Sequence, residues 1–111
     1  MTTNDIIAKA RQIIEDTVEP YRWSEGEMIE NLQSALRRLA VLAPQTRYVN
    51  GIVKDQIPVP DEPDENMVLH EKYGEPLALY IAYLCYLNDA TDTVNANRAA
   101  ACLTRAEGMM V

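Results

Sequence analysis

"LALYIAYLCYL" spans residues 77–87, and no position in it is charged. A helix on the outside of a small protein keeps one polar face. A helix apolar all round must be covered on every side. Eleven residues are too few to cross a bilayer, which takes about 20. At about 100° per residue, Leu77, Tyr80, Tyr83, Leu84 and Leu87 share one bulky side, flanked by Leu79 and Tyr86. Ala78, Ile81, Ala82 and Cys85 form the other side, which is mostly small and admits a helix of the same chain at close range. Tyrosines join an apolar body to a polar tip and are enriched at interfaces. Two expectations follow. Either the remaining helices enclose this one completely, or Tyr80, Tyr83 and Tyr86 partly face another subunit.

The flanking sequence supplies the other helices. Residues 4–18 set Ile6, Ile7, Ala10, Ile13, Ile14 and Val18 at helical spacing, with Asn4 or Thr3 as N-cap and Asp5 in the first turn. Pro20 stops that helix. Trp23 then precedes Ser24 and Glu27, which have capping-box spacing, and Trp23 and Met28 are placed to form a hydrophobic staple. A second helix over 24–43 carries Ile29, Leu32, Leu36, Leu39, Ala40 and Ala43 on its apolar stripe and Glu30, Gln33, Arg37 and Arg38 on its wet face; Pro44 ends it. In the loop 44–66, Pro58, Pro60 and Pro63 forbid a long regular element. Its "YVNGIV" and "DQIPVP" segments are short and extended, with Asn-Gly placed for a hairpin. A third helix is expected over 69–90, kinked near Gly74 and Pro76 or starting there with Pro76 in its first turn. A fourth, over 94–109, buries Ala96, Ala99, Ala100, Leu103 and Ala106. The expected fold is mostly α: one four-helix domain over residues 1–111, with a proline-rich extended or β-hairpin segment between helices 2 and 3.

Length and composition agree with one domain: 111 residues, 48% hydrophobic and 24% charged, without Phe. The net charge of −7 disfavours gripping nucleic acid through phosphate contacts. The N-terminal residues lack the basic and apolar regions of a signal peptide, so a soluble protein made in the cytoplasm is expected.

Parts for chemistry are scarce. His70 is the one histidine, and "HEKYG" carries Gly74 where a zinc-protease motif requires a second His. The run Asp61, Glu62, Asp64 and Glu65 contains a proline and lacks the central glycine of a calcium loop, and reads as a solvated loop. Cys85 and Cys102 lie among apolar residues and read as buried, reduced thiols. No glycine-rich phosphate loop follows a strand. The expectation is no enzyme, no metal and no cofactor.

The order of elements resembles the small head-to-tail adaptor (connector, or head completion) proteins of tailed bacteriophages, over most of the chain. The likeness rests on Arg22, Trp23, Ser24, Asn31, Leu32 and a closing Pro44 in the first half. In the second half it rests on Pro58, Pro60, Tyr80, Tyr86, Asp89, Asn95, Arg98 and Ala99. It departs in the third helix, where Leu84-Cys85-Tyr86 replaces an Arg-Ala-Tyr step, and in a shorter segment over residues 48–60. The resemblance implies a structural virion protein at the neck, assembled in the host cytoplasm. Such adaptors form a ring, usually of twelve copies, between portal protein and tail or neck protein, through which double-stranded DNA passes without specific binding. No membrane is involved. Tyr48, Val49, Ile52, Ile57, Val59, Tyr80, Tyr83 and Tyr86 are then the candidate interface residues, and Trp23, Ser24, Glu27, Pro44 and Arg98 the structural ones. The competing expectation is a small helical dimeric module that binds or regulates a partner without catalysis.

Overall fold

The structure is a computed structural model that describes residues 1–89 and 93–111. It is mostly helical: α1 (Thr3–Ile13), α2 (Glu25–Leu42), α3 (Gly74–Asn88) and α4 (Thr93–Met110). A small antiparallel hairpin, β1 (Tyr48–Val49) and β2 (Ile52–Val53), lies between α2 and α3.

The uncharged stretch is the hub. α1, α2 and α4 all pack on α3, α4 most extensively, while they touch one another little. Leu77, Ala78, Leu79, Ile81, Ala82 and Cys85 are buried, and Tyr80, Tyr83, Leu84 and Tyr86 are half-buried. Leu77, Leu79, Ile81 and Cys85 join Ile6, Ile7, Met28, Leu32, Leu36 and Leu39 in one core. Fully burying a side chain of this size contributes about 1.5–3 kcal/mol. Three neighbours cover the small side of α3, while its tyrosine side is only partly covered and Leu87 is 49% exposed.

α1 departs from the expected span in two ways. Its N-cap is Thr2, in a reciprocal box: Asp5 N donates to Thr2 Oγ1 at 3.1 Å and Thr2 N donates to Asp5 Oδ2 at 2.9 Å. These bonds hold the Asp5 carboxyl below its usual range. The helix also ends at Ile13 rather than Val18. Glu15 adopts φ +59°, a left-handed conformation, and Asp16 N and Glu15 N return to the carbonyls of Arg11 and Gln12 at 2.9 and 3.3 Å. Val18, expected on the apolar stripe, is consequently 78% exposed.

α2 follows its pattern. Ser24 Oγ accepts from Glu27 N at 3.1 Å and its hydroxyl donates to Glu27 Oε1 at 3.1 Å. Trp23 packs against the core, and Met28 is fully buried. Arg38 leaves the expected wet face: its guanidinium donates to Glu107 Oε2 of α4 at 3.1 Å, and that bond raises its pKa. Pro44 ends the helix by opening a short 3-10 turn, Pro44–Arg47.

Asn50 and Gly51, with φ +51° and +83°, make the two-residue turn that pairs Tyr48 with Val53 and Val49 with Ile52. The extended strap that follows docks on the start of α1, where Asn4 N donates to the Pro63 carbonyl at 3.1 Å and Met67 N to the Met1 carbonyl at 2.8 Å. His70 caps a 3-10 turn, Glu71–Tyr73, its Nδ1 accepting from Lys72 N at 3.0 Å. α3 starts at Gly74, so the later of the two expected starts holds rather than a kinked helix from residue 69, and Pro76 sits in its first turn, where no backbone donor is required. The expected end at residue 90 and the turn beyond it reach positions 90–92, which lie outside the described residues. On α4, Ala99, Ala106 and Met110 are buried; Ala96 and Ala100, expected inside, are exposed, and Leu103 is half-buried. The stripe is narrower than the alanine pattern suggests because α3 alone covers most of it.

Candidate functional site

Three regions bear on function. The first is the hairpin and strap. Tyr48 and Ile52 are 62% and 58% exposed, Val53 and Val59 are exposed and Val49 is half-buried. Ile57, expected at an interface, is buried in the chain's own core: the strap crosses α2 there and turns the side chain inward. A hairpin of two-residue strands has too little area to make a core of its own. Its apolar side chains therefore stand in water.

The second region is the tyrosine side of α3. Tyr80 and Tyr83 pack edge to face with ring centroids 5.2 Å apart. Burial raises the Tyr80 hydroxyl pKa. Tyr86 turns its tip inward: its hydroxyl donates to the Ile13 carbonyl at 3.3 Å, where α1 ends, and burial raises its pKa as well. That bond accounts for the polar tip of Tyr86 from within the chain. Arg98 sits over the Tyr86 ring at 5.9 Å.

Around Tyr86 lies a fastening network. Asp16 accepts from Arg11 Nη1 at 2.8 Å, from Arg22 N at 2.9 Å and from Trp23 N at 3.2 Å. Arg22 is ion-paired with Asp89, and Asn95 Nδ2 donates to the Asp89 carbonyl and to its Oδ2 at 3.2 and 3.1 Å. Arg22, Trp23, Asp89 and Asn95, far apart in sequence, thus tie the α1–α2 turn to the end of α3 and the start of α4. The hub, Arg11–Asp16, escapes a reading by motif. Its signal is a lone cation inside an apolar stripe, between Ile7 and Ile14.

The third region is a groove of ≈ 670 Å³ between the outer face of α2 and the strap. Its lining mixes apolar Leu36, Ala40, Val41, Ile57 and Val59 with Gln33, Asp55 and Gln56 and the cations Arg37 and Arg47. Periodicity placed Arg37 on the wet face and did not show that the strap returns alongside it.

Nucleophile chemistry finds no support in this geometry. Burial pushes the Cys85 thiol up to about 11, and its neighbours are Asn31 and Met28. Cys102, expected to be buried, is half-buried, and its thiol is also raised by burial. Such thiols are poor nucleophiles. Among the described residues, no group of His, Cys, Asp and Glu is placed to hold a metal ion, and no helix is long and apolar enough to cross a membrane. Comparison of the chain with family models, with curated proteins and with solved structures gives no match.

Proposed function

We propose that this chain works by assembly: a head-to-tail adaptor whose copies form a ring between the portal and the tail of a tailed-bacteriophage virion. The carrying observation is the apolar hairpin, whose side chains stay exposed beside a core gathered on α3. Tyr48, Ile52 and Val53 are uncovered side chains for which a neighbouring subunit or the portal protein is a natural cover. A net charge of −7 suits a wall along which DNA slides by repulsion. The resemblance in element order supports the reading from a separate direction.

The test mixes the chain with portal protein and measures mass by sedimentation, with rings imaged by electron microscopy. The chain is expected to form a closed ring on the portal. A double variant, Tyr48→Asp with Ile52→Asp, is expected to stay off the portal. Its urea midpoint should match the parent to within about 0.5 kcal/mol, because both side chains lie outside the core. A discrete dimer that ignores portal protein overturns the proposal.

A further inference from the structure

We propose that the groove between α2 and residues 55–59 receives the acidic strap, residues 61–65, of a second copy of the chain. The inference rests on the ring reading and names one contact within it. The groove is cationic in an acidic protein, its lining carrying Arg37 and Arg47 against the single acid Asp55. Among the described residues neither arginine has a carboxylate partner. Arg37 donates to Ser34 Oγ at 3.0 Å, and Arg47 Nη1 donates to the Lys54 carbonyl at 3.5 Å. The strap offers the complement. Asp61, Glu62, Asp64 and Glu65 are exposed, and among the described residues none is ion-paired.

These opposite charges do not meet within one copy. The strap leaves the groove after Val59 and is pinned to the start of α1 by the Asn4–Pro63 bond and by the bridge between Thr2 and Asn66. Its carboxylates are therefore fixed at another place on the surface, presented outward. Pro60 and Pro63 also stiffen the segment and reduce the ordering needed on docking. Groove and strap are different surfaces, so the contact is heterologous, and its repetition runs head to tail and closes into a ring where the rotation allows.

The experiment uses two variants of the full chain. One reverses the groove, Arg37→Glu with Arg47→Glu; the other reverses the strap, Asp61→Lys, Glu62→Lys, Asp64→Lys and Glu65→Lys. Circular dichroism confirms that each folds, and Arg37→Glu alone serves if the double variant does not. Each variant by itself is expected to self-associate at least about tenfold more weakly than the parent in sedimentation, because like charges now face each other. An equimolar mixture is expected to recover association, since every groove then has a strap of opposite charge available. Added salt should weaken the recovered association. Variants that assemble as well as the parent, or a mixture that fails to recover, overturn the contact. If rings still form on portal protein from either variant alone, the contact is wrong and the ring reading stands. If the unaltered chain associates neither with itself nor with portal protein, both are wrong.

Discussion

Asp16 shows how one side chain sets a boundary. Its carboxylate is nearly buried and serves the Arg11 guanidinium and the amides of Arg22 and Trp23. Continuing α1 through Asp16 would forfeit those bonds, so the chain accepts a left-handed Glu15 instead. Asp16→Ala leaves Arg11, whose side chain is 6% exposed, with the Trp23 carbonyl at 3.0 Å but without a close carboxylate. Removing one member of a buried pair costs about 3–5 kcal/mol, so the urea midpoint should fall by that equivalent. Trp23 fluorescence should shift to the red as the turn loosens. An unchanged midpoint would show that Glu25, 3.9 Å from Arg11 Nη2, suffices as a partner. None of this was legible in advance. Pro20 looked like the natural end of the helix, and a stop written in side-chain acceptors leaves no periodic trace.

At the level of elements the sequence reads well where apolar spacing is dense and poorly where a helix is edged by alanine. α2 lies within one residue of its expected ends, because Ser24 and Pro44 are local signals that no tertiary contact has to supply. The small side of α3 also holds: Ala78 and Ala82 are fully buried. α4 is different, since alanine suits core and surface alike and its pattern did not distinguish buried Ala99 from exposed Ala100. A matched pair of substitutions checks this assignment. Ala82→Leu adds volume where there is no space and should cost about 1–3 kcal/mol in chemical denaturation. Ala100→Leu, on the exposed side of α4, should change stability by no more than about 0.5 kcal/mol.

For the whole molecule, the groove and the fastening network were beyond reach of the sequence for the same reason. Both are made by pairs such as Arg22–Asp89 or Arg47 and Ile57 with α2, which only the folded path of the loop brings together. The fold also has a pH signature. Burial raises Cys85 from 9.0 to about 11 and raises Cys102, Tyr80 and Tyr86 from their ordinary values. The folded chain thus holds protons that the unfolded chain releases. Stability from these groups is intact below about pH 9 and is lost as pH rises from there toward about 11. The urea midpoint should be level from about pH 7 to 8.5 and then decline, with Cys85→Ala removing part of the slope.

α3 has a further consequence for how the molecule is made. α1 and α2 emerge from the ribosome first, yet they meet chiefly through α3 and hardly touch each other. Until residue 88 is clear of the exit tunnel they have no shared core to close, and the uncharged run 77–87 then appears all at once. Its cover comes from both directions along the chain, from helices already waiting and from α4 still to come. The nascent chain caught between α3 and α4 therefore carries the uncharged run without its most extensive cover.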